Sequence, residues 1–438
     1  MTDPQQNSAI QPPGGDDILV LGLQWGDEGK GRIVDRLAGD AGLVVRFNGG
    51  ANAGHTVVAE GRRWRLSLLP SGVVRGRPGL LGPGVLLDAQ ALLDEIDALA
   101  AQGIAVGPAQ LRVADEAALV LPVHRAVERV REARLREPIG STQRGIGPAA
   151  EDRAGRRALR VGDLRDPLRL EQRLAELLDH HNTWLRAAGA PEETLRGTLA
   201  GLQALAPRLL PYAGAAGEAI DAARASGAPL LLEGAQAVML DLDWGAYPFV
   251  TASSTAAGLA ALGGGLWPVR RPQVLGVCKA YATRVGAGPL PTELHGAEGD
   301  LLRERGGEYG TNTGRPRRCG WLDAVQLRHA CRVAGADALA LTKLDVLDGL
   351  PEVRIAVAYR QDGRRLDRLP ADAAAQSRLE PVYETLPGWQ APTHGLRDVG
   401  ALPPAARAFV RRVAELAGRP VRWVSTGAER DDLIDLGV

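Results

Sequence analysis

A glycine-rich stretch near the amino terminus, QWGDEGKGR at residues 24–32, combines residue types that bind phosphate groups. An apolar run precedes it and a helical pattern follows, and a strand–turn–helix unit directs backbone N–H groups at an anion. Only Gly29 and Lys30 fit the Walker A pattern, because Gly31 stands where that pattern has Ser or Thr. The carboxylate of Asp27 would repel a phosphate unless it holds a cation or exchanges a proton. A surface turn with a solvated Asp27 is the alternative.

A second glycine-rich stretch, NGGANAGHT at residues 48–56, places His55 near the end of a tight loop. Its glycines and alanines permit a close approach between backbone and ligand. A histidine there suits proton transfer or a hydrogen bond to developing charge. A loop histidine without a chemical role is the alternative.

Two segments are rich in arginine. Residues 140–160 open with glycine and hydroxyl residues and contain five arginines, and the stretch GTNTGRPRRCGW at residues 310–321 contains three. Arginine with glycine and hydroxyl donors binds phosphate or carboxylate groups, and the second segment suits a loop that closes on an anion. Solvated basic faces are the alternative for both segments.

Polar residues also follow two apolar runs. Gln236 comes after the run at residues 229–232, where open α/β sheets bind ligands, while capping of the loop is the alternative role for Asp241 and Asp243. The sequence TKLD at residues 342–345 resembles the guanine-reading motif N-K-x-D, whose acid accepts two N–H donors from guanine. A simple turn is the alternative there. Together the segments predict a guanine nucleotide, a second phosphorylated ligand and a third anion held by arginines.

Strand-like and helical patterns alternate along the 438 residues, which predicts an α/β fold with a large, mainly parallel sheet flanked by helices. A helix-rich stretch around residues 165–225 indicates a helical insertion. We expect one domain over residues 17–438, after a flexible tail at residues 1–16. The predicted strands are 44–47, 229–232, 274–277, 338–341 and 353–358, and the predicted helices are 88–101, 123–136, 168–185 and 405–417.

Composition limits the partners and the compartment. Formal net charge is zero and the pI is about 7.1, which does not favour binding to nucleic acid or a membrane surface. The three cysteines, Cys278, Cys319 and Cys331, match no zinc pattern and fit a reducing cytosol. The first sixteen residues lack the basic region of a signal peptide, and no apolar run is long enough to span a bilayer. We therefore expect a cytoplasmic protein.

The order of ten motifs closely resembles the adenylosuccinate synthetase family over roughly residues 17–430. The resemblance implies a fold related to P-loop GTPases, and a GTP-dependent ligase of purine biosynthesis that joins L-aspartate to IMP through 6-phosphoryl-IMP. It also implies Mg²⁺ as cofactor, GTP as co-substrate and a homodimer. The motifs are QWGDEGKG, NAGHT, GIGPAAEDR, EGAQ, YPFVT, KAYATRVGAGPLPTEL, TGRPRRCGWLD, TKLDVLDGL, PVYETLPGW and STGAER.

The resemblance also implies roles for individual residues. Asp27 would take the N1 proton of IMP, His55 would stabilise the transferring phosphoryl group, and Lys30 would lie on the GTP phosphates. Asp27 and the Gly54 carbonyl would hold Mg²⁺. IMP would contact Asp27, Asn52, Ala53, Thr142, Gln236, Thr251 and Arg315, with Arg156 supplied by the partner subunit. L-Aspartate would contact Val285, Asn312, Thr313, Arg315 and Arg317. GTP would contact Gly26, Glu28, Gly29, Lys30, Gly54, Thr56, Arg317, Lys343, Asp345, Ser425, Thr426 and Gly427.

The sequence departs from the family pattern in the segments that face IMP and aspartate. Alternatives therefore stay open: a paralogue with an altered substrate (a 2-amino purine nucleotide such as GMP or dGMP, or another amino acid), a form resistant to an inhibitor, or a non-catalytic nucleotide-binding regulator. A simple GTPase switch fits less well, since the Walker Ser/Thr is missing. The departures are Ala51, Ser141, Gln143, Ala237, Trp244, Ala246, Ala252, Ser254, Asn312 and Ala428.

Overall fold

A computed structural model describes residues 17–59, 61–266, 271–310 and 314–437, and this part of the chain contains nineteen strands and twelve α-helices. The strands are β1 (Ile18–Gly22), β2 (Leu43–Arg46), β3 (His55–Ala59), β4 (Arg62–Leu66), β5 (Gly79–Leu81), β6 (Leu86–Leu87), β7 (Leu111–Ala114), β8 (Ala118–Leu119), β9 (Ala213–Gly214), β10 (Leu230–Glu233), β11 (Gln273–Lys279), β12 (Tyr281–Arg284), β13 (Arg318–Asp323), β14 (Ala338–Thr342), β15 (Glu352–Gln361), β16 (Arg364–Leu366), β17 (Glu380–Pro387), β18 (Val421–Ser425) and β19 (Leu433–Asp435). The helices are α1 (Lys30–Leu37), α2 (Ala89–Ala100), α3 (Pro122–Arg134), α4 (Ile146–Ala154), α5 (Pro167–Ala187), α6 (Leu195–Leu209), α7 (Ala216–Ala225), α8 (Gly258–Gly264), α9 (Ala297–Gly306), α10 (Ala324–Ala334), α11 (Ala373–Gln376) and α12 (Pro404–Ala417).

The central sheet has ten strands in the order β19-β18-β14-β11-β1-β10-β2-β5-β7-β9. Every neighbouring pair is parallel except β18 and β19. The strands β1, β2, β10 and β14 are buried along their whole length, which is why they appear in the sequence as continuous apolar runs. The prediction of an α/β fold with a large, mainly parallel sheet is confirmed.

The predicted elements differ from the observed ones mainly at their ends. Four of the five predicted strands correspond to β2, β10, β11 and β14 of the central sheet, and the four predicted helices correspond to α2, α3, α5 and α12. The fifth predicted strand, at residues 353–358, is β15, which lies in a separate five-stranded sheet with β12, β13, β16 and β17. The sequence indicated this strand without indicating its sheet, because strand pairing is a long-range property.

The helical insertion predicted around residues 165–225 is α5, α6 and α7. Helix α5 begins after Asp166, whose carboxylate accepts the backbone N–H of Arg169 at 3.1 Å, and Pro167 occupies its first turn. Its buried face includes Leu170, Leu174, Leu177 and Leu178, which belong to the main hydrophobic core. The expected single domain over residues 17–438 stays a prediction, and the expected tail at residues 1–16 lies outside the described residues.

The parallel sheet brings the predicted motifs to one edge. The phosphate loop follows β1, Asn48 follows β2, Gln236 follows β10, Lys343 follows β14, and the loop at residues 425–427 follows β18. Ligands bind at the carboxyl ends of the strands in open α/β sheets. Among the described residues, no helix has both the length and the apolar character required to cross a bilayer.

Replacing Leu341 by Ala tests the core beneath this edge. Leu341 is fully buried in β14, so we expect Leu341→Ala to lower the free energy of unfolding by about 2–5 kcal/mol. The matched control is Leu168→Ala, because Leu168 is 77% exposed in α5. Urea denaturation of both variants measures the difference, and equal midpoints would contradict the assigned burial.

Candidate active site

The phosphate loop is held from inside by one of its own side chains. Glu28 is fully buried, and its carboxylate accepts the backbone N–H groups of Gln24 at 3.0 Å and Gly26 at 2.8 Å. It also pairs with the Lys30 ammonium at 2.7 Å. Because this carboxylate is engaged within the loop, any contact between Glu28 and a nucleotide would use its main chain. Gly29 precedes α1 with a φ of 86°, in the left-handed region that favours glycine.

The carboxylate of Asp27 is half-buried rather than solvated at a surface turn. Its Oδ1 lies 2.9 Å from Nη2 of Arg317, a buried residue of the second arginine segment. Burial lowers the pKa of Arg317, but the carboxylates of Asp27 and Glu308 outweigh this effect and raise the pKa above its ordinary value. Two segments that are far apart in the chain therefore meet at one ion pair.

His55 lies beside the phosphate loop, at the start of β3. Its Nδ1 is 3.4 Å from the carbonyl of Ala53, and its Nε2 is 3.6 Å from Oε1 of Glu233. Glu233 is fixed by Ser71, whose backbone N–H and hydroxyl donate to it at 2.8 and 2.9 Å. Burial is the largest effect that lowers the pKa of His55, to about 4, so the imidazole is neutral near pH 7.

The same ring accounts for the missing Ser/Thr of the phosphate loop. A Cβ atom on Gly31 would lie 2.9 Å from Cδ2 of His55 and 3.3 Å from Oγ of Ser71. Real Cβ atoms almost never approach another atom that closely. The histidine therefore occupies the space that a Walker side chain would need.

The residues expected at IMP form two groups. Gln236 and Asn52 are in contact, since Nε2 of Gln236 donates to Oδ1 of Asn52 at 3.2 Å, and Oε1 of Gln236 is buried without a partner in the described structure. Thr251 follows the same β10 loop and donates its backbone N–H to Leu240. Thr142 is exposed in a separate loop, which passes close to Gly286, the neighbour of Val285 in the chain, since a Cβ on Gly140 would lie 3.1 Å from Cα of Gly286.

Two glutamates of α3 hold the loop that contains Thr142. Glu132 accepts the backbone N–H of Gly140 at 2.5 Å and of Ser141 at 3.2 Å, while Glu128 accepts that of Gly145 at 2.5 Å. Burial raises the pKa of Glu128.

The residues expected at guanine lie at the ends of β14 and β18. Lys343 has a φ of 59°, and its ammonium donates to the carbonyl of Gly306 at 2.5 Å and to Glu308 at 2.8 Å. Asp345 lies 3.4 Å from Nδ1 of His394, and burial raises the pKa of Asp345. The loop with Ser425, Thr426 and Gly427 is joined to the phosphate-loop helix, because the guanidinium of Arg32 donates to Oγ of Ser425 and to the carbonyl of Gly427.

The structure gives fewer contacts for the remaining predicted residues. Asn312 and Thr313 lie outside the described residues. Arg315 is described, and its carbonyl accepts the backbone N–H of Gly310 at 2.8 Å. Arg156 is exposed just after α4, with a φ of 62°.

The segment that carries Arg156 is anchored by a buried cluster. Oδ2 of Asp152 lies 3.0 Å from Nε2 of His124 and 2.8 Å from Nε2 of His181, and Oδ1 accepts from Arg157 at 2.7 Å. These three acid and imidazole groups could hold a metal ion by their spacing. However, the backbone N–H of Leu121 donates to Nδ1 of His124 at 3.0 Å, so Nε2 carries the proton and cannot be a ligand. The cluster is therefore a hydrogen-bonded anchor.

Some of the positions that depart from the family pattern, such as Trp244, Ala246 and Ser254, lie in the segment around Asp241. Asp241 is buried, and its carboxylate accepts the backbone N–H groups of Asp243 and Trp244 at 3.0 and 3.1 Å and the hydroxyl of Ser254 at 2.8 Å. Trp244 is 54% exposed, whereas Ala246 is buried. Asp241 thus caps its loop, as the simpler sequence interpretation had it.

Sequence reasoning missed several residues that hold the predicted ones, among them Arg32, Ser71, Glu233 and Glu308. Arg32 and Glu233 stand inside quoted motifs, GDEGKGR and EGAQ, so their place next to the predicted residues was a usable signal. No local pattern distinguishes Ser71 or Glu308.

Comparisons with known proteins agree over nearly the whole chain. A family model described as adenylosuccinate synthetase matches residues 19–434. The chain is 59% identical over 419 residues to adenylosuccinate synthetase 1 of Chromobacterium violaceum, which covers 96% of this chain and 97% of that protein. The fully ligated adenylosuccinate synthetase of Plasmodium falciparum has a TM-score of 0.90 at 33% identity, covering 96% of this chain and 100% of that one.

A more distant solved structure shares only the fold. It is the succinoaminodeoxyadenylate synthetase of cyanophage S-2L bound to dGMP and dATP, with a TM-score of 0.59 at 22% identity. The match covers 96% of this chain and 95% of that one.

A histidine titration tests the electrostatics of this site. In the ligand-free protein we expect the imidazole of His55 to titrate with a pKa of about 4, well below 6.5, because burial disfavours its charged form. Glu233→Gln should lower this pKa further, since the Glu233 carboxylate is the group that raises it most. NMR measures both, with His55→Asn to assign the resonance and the exposed Glu218→Gln as matched control. A midpoint near 6.5 would contradict the buried geometry.

Proposed function

This chain belongs to the adenylosuccinate synthetase family, and we infer that it joins the amino group of L-aspartate to IMP with cleavage of GTP. The products are adenylosuccinate, GDP and phosphate, so the enzyme is a ligase of purine biosynthesis. The observation that supports this chemistry best is the placement of Asp27. Its carboxylate stands in a phosphate loop, next to a buried arginine and on the same loop as Lys30.

The proposed reaction needs a base next to the phosphoryl donor, and the carboxylate of Asp27 can act as that base. We propose that it removes the N1 proton of IMP, so that the 6-oxygen becomes an oxyanion that attacks the γ-phosphate of GTP. His55 would stabilise the transferring phosphoryl group, and Lys30 would offset its charge. Positioning and electrostatic stabilisation of this kind account for most catalysis of phosphoryl transfer.

The donor set at this loop fits magnesium. A carboxylate from Asp27 and the carbonyl of Gly54 are oxygen ligands, which Mg²⁺ prefers, and Gly54 adjoins His55. When bound there, the ion would neutralise charge on the phosphate oxygens.

The remaining anion sites would take the other substrates. Asn52, Ala53, Thr142, Gln236 and Thr251 would hold IMP, and the unpartnered Oε1 of Gln236 is a free acceptor for this purpose. Arg315 and Arg317 would meet the carboxylates of L-aspartate together with Val285, Asn312 and Thr313. The amino group of aspartate then displaces phosphate from C6 of the purine.

GTP would lie between the phosphate loop and the carboxyl ends of β14 and β18. Gly26, Glu28, Gly29 and Thr56 would contact its phosphates, and Lys343 and Asp345 would read guanine with Ser425, Thr426 and Gly427. The bonds from Arg32 support this assignment, since they join the helix after the phosphate loop to the proposed base-reading loop.

We also propose a cytoplasmic homodimer in which Arg156 reaches the IMP bound by the partner subunit. The exposure of Arg156 and the buried anchor beneath its segment support this, because a residue that serves a partner must be both accessible and held in place.

The 59% identity to adenylosuccinate synthetase 1 of Chromobacterium violaceum favours IMP over a 2-amino purine nucleotide as the substrate. Parallel rate measurements on IMP, GMP and dGMP test this point, and turnover of GMP or dGMP at the IMP rate would contradict it.

Omission assays test the reaction itself. We expect phosphate release only when GTP, Mg²⁺, IMP and L-aspartate are all present, with the ultraviolet absorbance of a succinylated purine. Asp27→Asn should reduce turnover by about 100-fold or more while GTP still binds, since it removes the proton acceptor. Phosphate release without IMP would instead support a simple GTPase.

Mixing two inactive variants tests the shared site. Asp27→Asn and Arg156→Leu each impair every site of their own homodimer, but a mixed dimer contains one site with both wild-type residues. Random exchange should therefore restore about a quarter of wild-type activity, since half the dimers are mixed and each has one good site of two. No recovery after proven subunit exchange would contradict a role for Arg156 across the interface.

A further inference from the structure

A single buried carboxylate collects three cationic side chains next to the proposed active site. Glu308 follows α9 and is fully buried. Both carboxylate oxygens of Glu308 accept from the Lys279 ammonium at 3.1 Å. Lys343 donates to Oε1 at 2.8 Å, and Arg317 donates to Oε2 at 2.6 Å. The hydroxyl of Tyr281 also donates to Oε1.

Two of these cations belong to different substrates in the proposed function. Lys343 stands at the guanine site, whereas Arg317 stands at the aspartate site and is also expected to contact GTP. Arg317 also bridges two carboxylates, because Nη1 lies on Glu308 and Nη2 lies on Asp27. One chain of contacts therefore runs from Lys343 through Glu308 and Arg317 to Asp27.

The charges in this chain of contacts do not cancel. Lys279, Lys343 and Arg317 contribute three positive charges, while Glu308 and Asp27 contribute two negative ones, which leaves one positive charge in a mostly buried cluster. An uncompensated buried charge is costly, so the cluster favours an incoming anion. A carboxylate of L-aspartate bound at Arg317 would supply the negative charge that neutralises the cluster.

We propose that Glu308 is a positioning residue that couples the guanine site to the aspartate site. It holds Lys343 and Arg317 on one carboxylate, so guanine packed on the Lys343 stem fixes Glu308 and thereby orients Arg317 toward the aspartate carboxylate. This inference rests on the proposed function. A purely structural role, in which Glu308 only neutralises the buried Lys279, predicts no such coupling.

Equilibrium binding tests the coupling. The dissociation constant of a non-hydrolysable GTP analogue is measured with and without L-aspartate, with IMP and Mg²⁺ present in both cases. The wild-type protein should bind the analogue at least about fivefold more tightly with L-aspartate, and Glu308→Gln should reduce this factor below about twofold. Glu304→Gln is the matched control, because Glu304 is exposed on α9, shortly before Glu308, and it should keep the wild-type factor.

A second pair of variants separates coupling from folding. Glu308→Gln leaves the Lys279 ammonium buried without its partner, so the double variant Lys279→Met/Glu308→Gln removes both charges. Lys279→Met alone keeps Glu308 with Lys343 and Arg317, and it should retain the coupling that the double variant loses. A wild-type factor in either variant that lacks Glu308, or no coupling in the wild-type protein, would overturn the proposal. Absent turnover of wild-type protein with all substrates would instead contradict the proposed function.

Discussion

The active-site edge of this protein depends on the ion pair between Asp27 and Arg317. The carboxylate belongs to the turn after β1, whereas the guanidinium belongs to the loop before β13, which is a strand of the five-stranded sheet. A buried guanidinium is stable only where acceptors surround it, and Arg317 finds them in Asp27 and Glu308. The pairing therefore fixes how the loop from one sheet sits on the strand ends of the other. It also places the proposed base next to a cation.

Paired carboxylates recur beneath the other functional side chains. Glu28 holds the phosphate loop, Glu233 faces His55, and Asp152 anchors the segment that carries Arg156. Each is buried, and each accepts at least two donors from its own surroundings. In every case the residue that would touch a substrate is oriented by an acid whose own carboxylate would not. Preorganisation of this kind costs nothing at the moment of reaction.

The sequence predicted the parts of the fold that local physics determines. Apolar runs such as residues 338–341 indicated buried parallel strands, and Gly29 before Lys30 indicated a turn into a helix. The strand at residues 353–358 was predicted, but its membership of the second sheet was not, since pairing involves residues distant in the chain. Glu308 was missed for the same reason: its four donors come from β11, β12 and the segments around Lys343 and Arg317, and no spacing in the sequence reveals them.

The contact between Gly31 and His55 has a consequence for how such loops can evolve. A hydroxyl side chain at position 31 would need the volume that the imidazole fills, so the two arrangements exclude each other. Conversion to a switch-type GTPase loop would thus require simultaneous change at two positions, one in α1 and one at the start of β3. Single-step mutational paths between the two designs pass through a clash or a void, which gives natural selection little opportunity to cross between them.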